Sequence, residues 1–109
     1  MFSQSQSTAV DQWNKLSLVE QMANIGSEVS RASKWQAKDR NTFDGAVSRA
    51  LELFDRTLAD ARWKKRLREI ARARELFCDA IFGQNAYGTS LDDLNKYFLY
   101  FAIAARLHR

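Results

Sequence analysis

The stretch from Asp60 to Gly83, DARWKKRLREIARARELFCDAIFG, restricts the fold more than any other part of the chain. Its apolar residues Trp63, Leu67, Ile70, Phe77 and Ile81 recur at spacings of three, four and seven, which puts them on one stripe of a helix. Such a stripe has to be buried, so other elements must lie against it. The opposite side carries Lys64, Lys65, Arg68 and Arg72, flanked by Arg62 and Arg66, a row of cations facing water. The same reading along the chain gives four helices, at about 17–38, 42–59, 61–82 and 90–107, and no alternating segment that would make a strand. No Pro and only four Gly agree with this, since both are costly inside helices. The expected architecture is all-α, an antiparallel four-helix bundle. It occupies one domain over 13–109, after a Ser- and Gln-rich segment, 1–12, that is expected to be mobile.

The start and stop signals fit this division. Ser17 with Glu20 three residues on is a capping box, and Leu18, Met22, Ile25, Val29 and Ala32 form the seam of the first helix. Gly26, among Ala23, Ser27 and Ser30, predicts a helix packed unusually close. Asn41 or Thr42 caps the second helix, whose buried face is Phe43, Val47, Ala50, Leu51, Phe54 and Leu58. Asp60 caps the third across a very short connection, so the second and third form an antiparallel hairpin. Gly83 ends the third, Gly88 is placed to take a positive φ with Tyr87 packing beside it, and Thr89 or Ser90 followed by Asp92 and Asp93 opens the fourth.

Charge marks a first candidate surface. Residues 1–60 carry 7 cations and 8 anions, net −1, whereas 61–109 carry 10 and 5, net +5. Clustered cations are the footprint of a nucleic-acid binder, and Arg62, Lys64, Lys65, Arg66, Arg68 and Arg72 are the residues that would meet phosphates. A charged helix face is also an ordinary solvated one. A second feature is the half-polar stripe Asn24, Glu28, Arg31 and Trp35, read either as the lining of a pocket or as a local pair of Glu28 with Arg31 at the edge of solvent. Arg74 falls on the apolar stripe of the third helix and needs a carboxylate, from Glu28 or Asp55, unless it reaches out to water. Asn24, Glu28, Arg31 and Arg74 are thus a candidate polar cluster.

The fourth helix marks another surface. Leu91, Leu94, Phe98, Phe101 and Ala105 make one apolar face, and Leu99, Tyr100, Ile103 and Leu107 make a second. Four packed helices do not cover both sides of one member, so a partner is expected there: a homodimer, or a different protein chain. The competing expectation is that the N-terminal segment, through Trp13 and Leu16, folds over this helix.

Several chemistries are excluded. Cys78 is the only cysteine and His108 the only histidine, so there is neither an internal disulfide nor a zinc site, and the expected location is the reducing cytoplasm. No secretory leader and no membrane span are seen. The chain has no phosphate loop, HExxH, paired ExxH or GxSxG. Cys78 reads as inert core, and no pair of carboxylates stands out for acid–base work. No catalytic residue, metal or cofactor is assigned.

The segments LVEQMANIGSEVSRASKW, ALELFDRTLAD and LREIARARELFCD are similar to a group of short uncharacterised prokaryotic helical proteins. That resemblance covers about residues 16–105 and implies no activity. In length and helix number the chain also resembles the HEPN group of helical domains, many of them dimeric RNA-cleaving toxins. Their signature is an Arg followed after four to six residues by a His. Phe101 to Ala104 contain no Arg before His108, and Arg106 is too close. The resemblance implies a bundle and a dimer without the nuclease. A non-catalytic binding or regulatory protein is expected, acting on nucleic acid through the basic face or on protein through the fourth helix; the remaining alternative is a HEPN-like RNA-processing or small-molecule-binding enzyme with Asn24, Glu28, Arg31 and Arg74 converging on a cleft.

Overall fold

The computed structural model describes residues 9–83, 88 and 90–107. His108, Tyr87, Thr89 and residues 1–8 lie outside them, so the readings placed there go no further. The described residues are helical with no strand. A short helical turn, α1 (residues 9–13), stands where no helix is expected. It is followed by α2 (Leu18–Trp35), α3 (Arg40–Leu58), a 3-10 segment (Ala61–Arg66), α4 (Leu67–Phe82) and α5 (Leu91–Leu107).

Local chemistry sets these bounds. Ser17 Oγ accepts from the Glu20 amide at 3.1 Å while Glu20 Oε1 accepts from the Ser17 amide at 3.0 Å, completing the capping box of α2. That helix stops at Trp35 instead of 38, because Asp39 starts the next one. Its Oδ1 accepts from the Asn41 and Thr42 amides at 3.0 and 3.4 Å, and its Oδ2 accepts from Thr42 Oγ1 at 3.1 Å. Asp39, not Asn41 or Thr42, is the cap, and α3 begins two residues early. Ser90 and Asp93 form a second reciprocal pair at the start of α5, at 3.1 and 3.2 Å. Gly88 has φ 68°, a left-handed conformation that glycine adopts without strain. Gly83 ends α4 in extended rather than left-handed conformation.

The expected continuous helix over 61–82 is broken. Residues 61–66 are 3-10, Trp63 is non-helical at φ −101° and ψ 23°, and Arg66 precedes α4 without a side-chain cap. Bonds to other segments hold this stretch: Arg62 donates to the Leu16 carbonyl and to Asp60, and Trp63 Nε1 donates to Gln21 Oε1. The buried stripe of α4 is therefore Ile70, Ala73 and Phe77, with Leu67 exposed and Trp63 off its register.

α2 is the hub, packing along α5 on one side and α3 on another, while α4 lies more loosely against α3 and α5. The α2–α5 and α3–α4 contacts run in opposite chain directions. Gly26 meets Phe98 as Ser33 meets Asp92, and Phe54 meets Phe77 as Val47 lines a cleft with Ile81. Phe54, Phe77 and Phe98 form the centre, with rings 5.9 and 6.1 Å apart, enclosed by Met22, Ile25, Val29 and Ile70. The expectation for Gly26 holds: a Cβ there would lie 2.6 Å from Phe98 Cβ, so only glycine allows α2 and α5 this spacing.

Candidate functional site

The cations of the basic stretch divide into two groups. Arg62 folds back along the surface: its guanidinium donates to both Asp60 oxygens at 2.7–3.2 Å and to the Leu16 carbonyl at 2.7 Å, and stacks 4.4 Å over the Trp63 ring. It is thereby removed from the expected phosphate-facing row. Arg66 pairs with Glu69 at 2.8 Å and Arg72 with Glu75 at 3.6 Å. Lys64, Lys65 and Arg68 are exposed and form no ion pair with a described residue.

Arg62 belongs to a buried polar clasp that joins four segments. Trp13 Nε1 donates to Thr57 Oγ1 at 3.1 Å, and Thr57 donates onward to the Leu53 carbonyl at 2.9 Å. Gln21 Nε2 donates to the Trp13 carbonyl at 2.8 Å and to Asp60 Oδ2 at 3.1 Å, while Gln21 Oε1 accepts from Trp63 Nε1 at 2.9 Å. Gln21, Thr57 and Asp60 are all buried, and no buried side-chain N or O among the described residues lacks a partner. The Arg62 guanidinium beside Asp60, helped by the Arg62 amide and Gln21 against the penalty of burial, lowers the Asp60 carboxyl to about 2. The chain's own reading passes over this clasp, although one signal exists. Gln21 sits three after Leu18 and four before Ile25, an amide on an apolar stripe, and two indoles within reach each need an acceptor.

The candidate polar cluster is dispersed. Asn24 donates to the Glu20 carbonyl at 2.8 Å, Glu28 pairs with Arg31 at 3.0 Å, and Arg74 Nε donates to Asp55 Oδ1 at 3.0 Å. Arg74 takes its carboxylate from α3, not α2. Its side chain lies at the edge of the α4 stripe, where Asp55 is the nearer acceptor, so the four residues share no site. Cys78 is partly buried, with the Arg74 guanidinium 3.7 Å from its Sγ.

α5 presents the clearest unfilled surface. Leu99, Tyr100, Ile103 and Leu107 are 57%, 73%, 46% and 76% exposed, and they are four of the seven large exposed apolar residues described. Leu99, Ile103 and Leu107 make a single ridge at intervals of four, with Tyr100 beside it. Beside that ridge runs a shallow groove of about 320 Å³ between α2 and α5, lined by Ala23, Ser27, Ser30, Asn95, Leu99 and Ala102. Trp13 and Leu16 do not close it: Trp13 is held by Thr57 and Gln21, and the Leu16 carbonyl by Arg62, at the clasp. A smaller cleft of about 240 Å³ lies between α4 and α5, walled by Ala73, Leu76, Leu94 and Tyr97. There burial and the nearby Glu69 raise the Tyr97 phenol and keep it protonated.

Among the described residues no three His, Cys, Asp or Glu side chains gather as a metal site, and no helix is long and apolar enough to cross a membrane. The chain matches no protein-family model, no curated protein and no solved structure. Neither resemblance drawn from the sequence gains support from them.

Proposed function

We propose that the protein is a non-catalytic docking module, a bundle of antiparallel helices that works in the reducing cytoplasm and binds protein through the outer face of α5. The observation that carries this reading is the ridge Leu99–Ile103–Leu107 with Tyr100, which holds four of the seven large exposed apolar side chains among the described residues. Contiguous apolar surface of this kind marks interaction sites. Tyr and Leu side chains on a firm helix are suited to it, since they bury area at little cost in side-chain freedom. The test is capture on immobilised protein: a stoichiometric chain should be retained by the parent and lost by Tyr100→Asp and by Leu107→Asp. Equal capture by all three would sink the reading.

A second reading, nucleic-acid association, rests on Lys64, Lys65 and Arg68. These cations lie before or within the first turn of α4, an uncapped helix start, where their mutual repulsion and the dipole are relieved by an added anion. Three such phosphate contacts predict a log–log salt slope of roughly −3 on duplex DNA, and a slope near zero after Lys64→Glu, Lys65→Glu and Arg68→Glu together. Absence of binding by the parent at low salt dismisses it.

A further inference from the structure

We propose that the occupant of the α5 face is a second copy of this chain, docked antiparallel about a two-fold axis at Ile103. This inference rests on the docking reading above and names its partner. A two-fold interface must be self-complementary, with each residue facing one whose number makes up the same sum. Every antiparallel register meets that condition, so the side chains each register brings together decide among them.

With Ile103 opposite its own copy, Leu99 faces the other copy's Leu107 and Tyr100 faces the aliphatic stem of its Arg106. All four apolar side chains are then covered by carbon. The overlap spans residues 99–107, in which Arg106 is the sole charged side chain. Moving the axis to the Leu99–Tyr100 step sets Lys96 over Ile103 and Asp92 over Leu107, placing a cation and an anion on the ridge. A parallel pairing stacks Lys96 on Lys96 and aligns two helix dipoles, whereas the antiparallel one opposes them. Charge placement therefore selects both the direction and the register.

The groove on the Leu99 flank supports the same choice. It is lined by neutral residues, so it sets no charge against the second copy. A single helix pair of this length stands at the small end of specific interfaces, so the dimer is reversible and dissociates on dilution.

Cysteine cross-linking in a Cys78→Ser background tests the register. Ile103→Cys places two thiols on the axis and should give a disulfide-linked dimer as the main product of mild oxidation. Lys96→Cys, whose two copies stand about 21 Å apart along the axis, should remain uncross-linked. Sedimentation equilibrium of the parent should show a monomer–dimer equilibrium in the micromolar range. Ile103→Asp should abolish it with circular dichroism and thermal midpoint retained, which separates lost docking from lost folding. A parent that stays monomeric at hundreds of micromolar, or cross-linking of Lys96→Cys equal to that of Ile103→Cys, overturns the proposal. If in that case a different chain is captured and released by Tyr100→Asp, the docking reading stands and the second copy alone is rejected. If nothing is captured either, both fall.

Discussion

The clasp around Asp60 and the outer face of α5 use residues in opposite ways. At the clasp an Asp, a Gln and a Thr, which composition would place in water, are drawn inside beneath a half-exposed Arg62, and every buried side-chain donor and acceptor among the described residues is matched. On α5, two Leu, an Ile and a Tyr, which composition would place inside, are left outside. The first arrangement leaves no buried polar side chain among the described residues without a partner, whereas the second leaves four large apolar side chains in water, and the proposed docking role rests on that difference. Counting charges in a stretch overstates what is free to bind: Arg62, Arg66 and Arg72 already have carboxylates, and the row of six reduces to three.

The sharpest way to break this contrast is Asp60→Ala. It strips the clasp of the acceptor shared by Gln21 and Arg62 and leaves one buried Gln21 N–H unmatched, while Arg62 can turn to water, which should cost about 2–3 kcal/mol in urea denaturation. A cost below about 0.5 kcal/mol, the size expected at an ordinary surface site, would reduce the clasp to a surface ion pair. Next comes the inner side of α5. Gly26→Ala adds a methyl 2.6 Å from Phe98 Cβ and should cost roughly 2 kcal/mol, despite alanine's better helix propensity.

A pH series addresses the clasp without changing its shape. The folded Asp60 carboxyl is lowered from 3.8 to about 2, so the unfolded chain binds the proton first as pH falls. The stabilisation is whole above about pH 4 and is lost as pH descends towards 2, a change of up to about 2 kcal/mol. Asp60→Asn should flatten that part of the profile relative to the parent, measured as the urea midpoint against pH.

How much of this was legible depended on how local the cause was. Ser17 with Glu20, Gly26, and the need of Arg74 for a carboxylate were readable because each follows from residues within a turn or from one stripe. The break at 61–66 was not, because the bonds that hold it, from Arg62 to Leu16 and from Trp63 to Gln21, join residues 46 and 42 apart in the chain. The clasp was out of reach for the same reason. Trp13, Gln21, Thr57 and Trp63 are up to 44 residues apart in pairing, and only the packing of α2 against α3 brings them together. The α5 ridge was legible in full, since a helix apolar on both sides announces itself, but its occupant required a register argument.

The smallest effect expected is the most informative about α5. Tyr100→Ser combined with Leu107→Ser removes the two most exposed apolar side chains of the ridge, and at a concentration where the chain is monomeric should shift stability by no more than about 0.5 kcal/mol. Both side chains contribute little to the subunit's own core, so their loss leaves no cavity behind. At higher concentration the parent should gain stability through mass action and the double variant should not, so their urea midpoints should separate as protein is added. A loss above about 1 kcal/mol in the dilute monomer would mean that the ridge is covered from within the same chain. The contrast with the clasp would then vanish, because both regions would be complete in one subunit.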